Sequence, residues 1–382
     1  MQKKKTVGII TIWQTNNYGA ELQAFALQKK LNLMGFPGEN IDFPFYKNPD
    51  FHTFRSNKSE YSIGLQNMLK ELLFPVFSRI SSTKNPQIMM ERSKNFYQFY
   101  LLTNRSERRY LSVQSLYENP PQYDIFMAGS DQIWNPRIPI AHAPFFLDFA
   151  PEKSPRVSYA SSFGVDHLPE QAEPYFRKWL MQFSQISVRE QTGVELVRNL
   201  TGQEAVHVLD PTLLLTAAEW NSVASASQQT ERYLLLYDLL PSAKIISFAK
   251  KAASILKLKI YRICRDSGTQ PEAGITQFPA AGPQDFLTLF KNSSFVVTNS
   301  FHGMVFSILF EKEFRVLIPE TMKNGGRISS LIQLLQLKQN VINESDLKDM
   351  NLKHVTDYSK VNVLLKLSRQ KSESYLEKVL AI

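Results

Sequence analysis

Short continuous apolar runs alternate along the chain with longer stretches in which apolar residues return every three or four positions, the signature of buried strands followed by amphipathic helices. Thr6–Trp13 is the first run of strand length. A polar loop then leads into Ala20–Met34, where Leu22, Ala26, Leu27, Leu31 and Met34 share a helical face and Gly35 stands as a C-cap. The signal resumes with strands at Tyr123–Ser130 and Arg156–Ser162, a helix at Glu170–Phe183, a strand at Ile186–Arg189, a helix at Glu190–Leu200 and a strand at Ala205–Asp210. A second series opens where Thr216 and Glu219 form a capping box. It continues with strand Tyr233–Tyr237, helix Ala243–Leu256, strand Lys259–Cys264, helix Pro283–Lys291, strand Phe295–Thr298 and helix His302–Phe310; Arg327–Leu337 and Val361–Val379 read as closing helices. Lys47–Tyr117 breaks the rhythm. It is rich in aromatic and basic residues and reads as an insertion with helices at Leu65–Phe77 and Arg92–Leu102.

This alternation predicts an α/β fold with parallel sheets. Two series of similar size in a chain of 382 residues, set against roughly 100–200 residues per domain, predict two doubly wound Rossmann-like domains facing a cleft. The N-terminal domain is expected over residues 1–204, with the helical insertion around 47–117, and the C-terminal domain over 205–382. Ligands of such folds lie at the carboxyl ends of the strands, which singles out the places where a strand stops on small or charged residues.

Composition narrows the classes. Hydrophobic residues make up 43% and charged residues 21%, so disorder is disfavoured. One cysteine excludes an intramolecular disulfide and a thiolate zinc cluster, consistent with a reducing cytoplasm. MQKKK resembles the start of an export signal, but the apolar run after it is broken by threonine and passes straight into Gln14, Thr15, Asn16 and Asn17, so it reads as a strand. No run approaches the ~20 apolar residues of a membrane span. Lys and Arg number 44 against 35 Asp and Glu, a net charge of +9 that points to an anionic partner.

Val296–Phe310 carries the strongest candidate chemistry. A buried strand stops at Thr298, Asn299 and Ser300, and a helix opens at His302 and Gly303. The first N–H groups of a helix have no intrahelical partner and its dipole is positive there, so this end suits an anion, and a histidine in the first turn adds a proton or a charge. The alternative is that Ser300 is a plain N-cap and His302 packs internally. Gln14–Gln23, after the first strand, offers Asn16, Asn17 and Gly19 to a hydroxyl-rich substrate, or simply forms a turn; its single glycine is no dinucleotide fingerprint. Gly129–Pro136 places Ser130, Asp131 and Gln132 after a buried strand, with Asp131 a base, a sugar ligand or a helix cap. Ser158–Gly164 brings Ser161 and Ser162 to a similar position, where they either approach a substrate or are small because the crossing is crowded. Arg189 ends a short apolar strand and needs an anion: Glu190, Asp210 or a substrate carboxylate or phosphate. Lys323, Gly325, Gly326 and Arg327 form a basic loop opening a helix, a solvated loop or a lid. Phosphate-loop, zinc-protease and nucleophile-elbow motifs are absent, no His/Asp cluster has metal spacing, and the cations form no nucleic-acid stripe.

Taken in order, NNYGAELQAFALQ, GSDQIWNP, SYASSFG, ISVRE, VLDPTLLL, TNSFHGMVFSILF and RISSLI resemble the polysaccharide pyruvyl transferase family from about Thr6 to Leu337. The resemblance implies a GT-B-like two-domain fold and transfer of pyruvate from phosphoenolpyruvate onto a sugar as a cyclic ketal, with no resident cofactor. The family's histidine and arginine fall on His302 and Arg189, and its downstream cation on Arg327, with Lys323 the alternative. Acceptor specificity is expected in Lys47–Tyr117. The partners are phosphoenolpyruvate and a sugar acceptor, possible in lipid-linked form, which with the positive charge suggests peripheral contact with the acidic inner membrane face. Two competing readings are a nucleotide-sugar glycosyltransferase and a non-catalytic carbohydrate-binding protein.

Overall fold

The computed structural model describes residues 4–44, 85–138, 140, 142–226, 231–264, 269–318, 326–342, 352 and 355–382. The chain divides into two compact units, one built from residues 1–82, 101–214 and 368–382, the other from 83–100 and 215–367. The predicted helix Leu65–Phe77 lies outside the described residues.

In the first unit the described strands are β1 (Val7–Ile10), β2 (Gly38–Asp42), β3 (Arg105–Arg109), β4 (Ile125–Ala128), β5 (Arg156–Ser158), β6 (Ile186–Val188) and β7 (Ala205–His207). The first five form one parallel sheet in the order β3-β2-β1-β4-β5, the doubly wound arrangement, and β6 and β7 form a parallel pair. Ser158 N donates to Gln185 O at 3.1 Å and Arg189 N to Ser161 O at 3.2 Å, so the pair continues the sheet past β5. The uninterrupted apolar run of β1 has its cause here. Val7 and Ile9 point into one core with Met127, Val157 and Leu376, while Ile10 points into another with Phe126, Trp134 and Phe146. In that second core Trp134 stacks on Phe146 at 5.0 Å, and Phe146 on Trp179 at 4.9 Å. The helices are α1 (Tyr18–Leu33), α3 (Val113–Glu118), α4 (Glu173–Leu180) and α5 (Gln191–Thr201).

The second unit repeats the plan. Strands β8 (Tyr233–Tyr237), β9 (Lys259–Ile263), β10 (Ile275–Phe278), β11 (Phe295–Thr298) and β12 (Phe314–Val316) form a parallel sheet in the order β10-β9-β8-β11-β12. Helices α6 (Ala217–Asn221), α7 (Ala243–Leu256), α8 (Pro283–Asn292), α9 (Phe301–Leu309) and α10 (Arg327–Leu335) accompany it. Leu234, Leu236 and Val297 pack with Ile245, Phe248, Ala249 and Ala252 of α7. An aromatic run of Tyr237, Phe286, Phe290 and Phe306 joins β8 to α8 and α9. The capping box of α6 is present: Thr216 Oγ1 accepts from Glu219 N at 3.2 Å and Glu219 Oε2 accepts from Thr216 N at 2.6 Å.

Two helices depart from the linear division at residue 204. α2 (Pro86–Tyr100), in the insertion, packs with the second unit, where Arg92 Nη1 donates to Pro279 O at 3.2 Å and Asn95 Nδ2 to Ala280 O at 2.9 Å. The last helix, α11 (Tyr358–Leu380), belongs to the second unit up to Leu367 and to the first from Ser368; there Tyr375 donates to Ser158 O at 2.9 Å and Leu376 and Val379 are fully buried. A helix goes where its apolar face finds a matching surface, at roughly 1.5–3 kcal/mol per large side chain buried, and chain order does not set that destination. Among the described residues no helix is long and apolar enough to cross a membrane.

Candidate functional site

In each sheet the strand order reverses at its first strand, which places the switch points at the carboxyl ends of β1 and β4 and of β8 and β11. Most of the sequence candidates lie just beyond these ends.

Beyond β11, side chains hold the backbone in place. Thr298 Oγ1 donates to Tyr237 O at 2.6 Å and accepts from Ser300 N at 3.0 Å. Asn299 Oδ1 accepts from Leu239 N at 2.8 Å and its amide donates to Leu240 O at 2.7 Å, clasping the loop that follows β8. Ser300 is extended at φ −99° and ψ 137°, and its hydroxyl accepts from Gly303 N at 3.3 Å, so it is the N-cap of α9. A Cβ on Gly303 would lie 2.2 Å from Thr298 Oγ1, so the helix can approach the strand this closely only with glycine there. These constraints set His302 in the first turn of α9, 6% exposed, its ring edge-on to Phe301 at 5.2 Å. The Arg327 guanidinium, from the first residue of α10, lies 5.7 Å from the centre of the Phe301 ring. One aromatic ring thus meets both the histidine and the arginine, beside a helix N-terminus that is itself positive. Lys323 and Gly325 lie outside the described residues.

At the ends of β8 and β9, Asp238 and Arg262 form a buried two-pronged pair, with Nε to Oδ1 at 2.8 Å and Nη2 to Oδ2 at 2.6 Å. Burial raises the pKa of Asp238, and Arg262 pulls it back only in part. Sequence reading missed this pair because neither residue sits in a motif. The signal that points to it is a charged residue ending or lying within an otherwise apolar strand, the same signal that marked Arg189.

In the first unit the structure brings together Ser130, Asp131, Arg189 and Asp210. Arg189 Nη1 donates to Asp210 Oδ2 at 2.5 Å and Nη2 lies 3.4 Å from Asp131 Oδ1. Burial alone would lower the arginine's pKa, but the charges of Asp210, Asp131 and Glu190 outweigh it and raise the pKa above its ordinary value. The partner left open by the sequence is therefore Asp210 with Asp131. Glu190 turns instead to the loop before it, its Oε1 accepting from Ser162 Oγ at 3.0 Å, Phe163 N at 2.7 Å and Gly164 N at 3.1 Å. The Arg189 side chain is 1% exposed and that of Asp131 is 14% exposed, so Asp131 is the member of the group that meets solvent. Asp131 has φ +68°, a left-handed conformation costly for a residue other than glycine and concentrated at functional sites.

Several of the expected substrate contacts are engaged within the protein. Ser130, Ser161 and Ser162 are 0% exposed. Their hydroxyls donate to Ala160 O at 2.9 Å, Gly129 O at 2.8 Å and Glu190 Oε1 at 3.0 Å, so they build the loops and present no hydroxyl outward. Ser300, 1% exposed, is likewise engaged as a cap. Asn17 caps α1, its Oδ1 accepting from Gly19 N at 3.0 Å, and Gln132 Oε1 accepts from Asn135 Nδ2 at 2.6 Å. Small polar residues at a strand end look alike in sequence whether they face a ligand or fill a crowded crossing.

The loop after β1 holds residues the sequence did not mark. Glu21 accepts from Gln14 N at 3.2 Å and Thr15 N at 2.9 Å, while Gln14 donates to Asp42 at 2.9 Å and accepts from Arg109 at 3.0 Å. Gln14 and Asn16 are both left-handed, at φ 59° and 55°, so this network holds a strained turn at the end of β1. Among the described residues no group of three or more His, Cys, Asp or Glu is arranged to hold a metal ion.

The polysaccharide pyruvyl transferase family profile matches residues 17–320. The chain belongs to the polysaccharide pyruvyl transferase family. No curated protein matches it. Among solved structures, a UDP-N-acetylglucosamine 2-epimerase is similar over 100% of this chain and 96% of its own, with TM-score 0.52 and 11% identity. The Methanocaldococcus jannaschii UDP-GlcNAc 2-epimerase in complex with UDP-GlcNAc and UDP is similar over 99% of both chains, with TM-score 0.49 and 10% identity. Arabidopsis thaliana UGT89C1 complexed with quercetin is similar over 99% of both chains, with TM-score 0.48 and 12% identity. At this identity the likeness speaks to the fold, and the expected class of two doubly wound Rossmann-like units, GT-B-like, is borne out.

Proposed function

We propose that this pyruvyl transferase moves pyruvate from phosphoenolpyruvate onto a sugar of a polysaccharide precursor as a cyclic ketal, releasing phosphate. The observation that carries the reading is the first turn of α9, where His302 and Arg327 flank Phe301 at a helix N-terminus. A ligand with both a carboxylate and a phosphate suits that cationic end.

In this reading His302 protonates the methylene carbon of phosphoenolpyruvate, C2 becomes electrophilic, and a sugar hydroxyl adds to it. A second hydroxyl of the same sugar then displaces phosphate and closes the ring, its proton leaving with the departing phosphate. Arg327 holds an anionic group of the donor. The attacking hydroxyl gives up its proton to a general base. In the first unit Arg189 fixes Asp131, because its own side chain is buried among carboxylates. Phosphoenolpyruvate is the donor substrate, and the reaction as written uses no resident cofactor. The acceptor, in lipid-linked form, would bring the protein to the inner membrane face, held by its surplus positive charge.

The test is phosphate release from phosphoenolpyruvate with a panel of lipid- and nucleotide-linked galactose, mannose and N-acetyl sugars. His302→Ala is expected to lose about 10²- to 10⁴-fold in rate, and wild-type turnover by that variant would remove the assignment. A nucleotide-sugar glycosyltransferase is the second reading, favoured by the GT-B-like fold. It predicts thermal stabilisation by a nucleotide sugar and none by phosphoenolpyruvate.

A further inference from the structure

The second unit contains a pocket of about 560 Å³ lined by α2, α8, β10 with the segment after it, Tyr233 of β8 and residues 225–226, with no described residue of α9 in its lining. The size lies within the range of small-molecule sites. Its polar groups are Glu91 and Asn95 from α2, Ser225, Gln277, Asp285 and Thr288, and among the described residues no lysine or arginine lines it. An anion would therefore enter without a cation to meet it and against two carboxylates. An uncharged ligand with many hydroxyls would meet acceptors and donors already fixed in place.

Three of those groups are held rigid. Asp285 Oδ1 accepts from Ser225 Oγ at 2.9 Å and its Oδ2 from Gly282 N at 2.9 Å, and Asn95 Nδ2 donates to Ala280 O at 2.9 Å, leaving its Oδ1 as an acceptor. Glu91 is exposed at the pocket wall on the same helix, one turn before Asn95. The half-buried Phe278 adds an apolar surface, backed by Tyr261 at 5.1 Å, which stacks on Tyr233 at 4.4 Å. An aromatic face beside a set of carboxylate, amide and hydroxyl groups matches a pyranose ring, which has an apolar C–H face and a polar rim.

We infer that this pocket binds an uncharged sugar ring, with Glu91 and Asn95 accepting hydrogen bonds from its hydroxyls and Phe278 lying against its C–H face. The inference is independent of the donor chemistry proposed above, since it requires neither phosphoenolpyruvate nor turnover. It also gives the insertion a role, because a helix from the first half of the chain supplies two recognition groups to the second unit.

The experiment is ligand-observed NMR titration of the full chain with the methyl glycosides of glucose, galactose and mannose and with N-acetylglucosamine. Uridine and glucose 6-phosphate serve as comparators, and no phosphoenolpyruvate is present. At least one neutral glycoside is expected to bind, and glucose 6-phosphate to bind more weakly than the methyl glycoside of glucose. Glu91→Ala with Asn95→Ala is expected to weaken binding at least about tenfold, equivalent to about 1.4 kcal/mol. Ala226→Trp, at an exposed position on the rim, is expected to abolish binding by occupying the space, and it covers the case in which the helix variant unfolds. Absence of binding by every glycoside, binding unaffected by Ala226→Trp, or preference for uridine or the sugar phosphate would each overturn the inference. Phosphate release measured separately tells this failure from failure of the pyruvyl-transfer reading.

Discussion

Replacing Asp210 by asparagine would leave the Arg189 guanidinium without its main counter-charge in a fully buried setting. Asp210 is 1% exposed, and its Oδ2 takes Arg189 Nη1 at 2.5 Å and Ser130 Oγ at 3.4 Å. Its Oδ1 takes Thr212 N at 2.9 Å and Thr212 Oγ1 at 2.6 Å. Asparagine keeps the shape and one acceptor but turns an N–H₂ group toward donors. Removing one partner of a buried pair costs about 3–5 kcal/mol, because the other charge stays desolvated. Asp131, 3.4 Å from the other guanidinium nitrogen, supplies part of the missing charge and places the expectation near the lower figure. Against a total stability of about 5–15 kcal/mol that is a large fraction. Urea unfolding followed by fluorescence would report it through Trp134 and Trp179, both in the core of the first unit. Asp210→Asn combined with Arg189→Met is expected to regain at least half of the loss, since the buried guanidinium that lacked its main counter-charge is gone. A loss below about 1 kcal/mol, or a double variant less stable than the single one, would refute the claim that the Arg189 charge depends on Asp210.

His142 is buried, donates through Nε2 to Asn135 O at 3.0 Å, and has its pKa pushed down from 6.5 to about 4, mainly by burial and against that hydrogen bond. The unfolded chain then binds a proton that the folded chain refuses, so stability is full above about pH 6.5 and falls by about 1.4 kcal/mol per unit toward pH 4, roughly 3 kcal/mol in all. Denaturation curves across that range should show the slope, and His142→Gln should flatten it; an unchanged slope would count against the assignment. Gly303→Ala should displace the first turn of α9, because its Cβ would lie 2.2 Å from Thr298 Oγ1, at a cost of about 1–3 kcal/mol. Adding Thr298→Ala should restore part of the melting temperature, and failure to do so would place the strain elsewhere.

The second series of elements was readable because its strands are apolar and its helices periodic. Tyr233–Tyr237 and Phe295–Thr298 match their predicted bounds, and Ala243–Leu256 does as well. β3, with the sequence RSERR, could not be read this way. It is an edge strand held by hydrogen bonds to β2, with only Ser106 buried, so it carries no apolar alternation. β10 and β12 are the edges of the other sheet and were missed with it. The candidate site divides in the same manner. His302 and Arg189 were marked by chemistry out of place in an apolar setting, a property local to a few residues. Which of the serines would be buried was not readable, because burial itself is not local.

By itself, the sequence determined the α/β rhythm, the positions of the strand ends and the helix caps, since these depend on spacing, backbone preference and short-range hydrogen bonds. Only the tertiary structure decided that both sheets share one strand order, that α2 packs with the second unit, and that Asp210, 21 residues from Arg189, takes its charge. Each of those outcomes is a choice of partner through space, settled by shape, burial and charge summed over distant segments, which no short stretch of chain encodes.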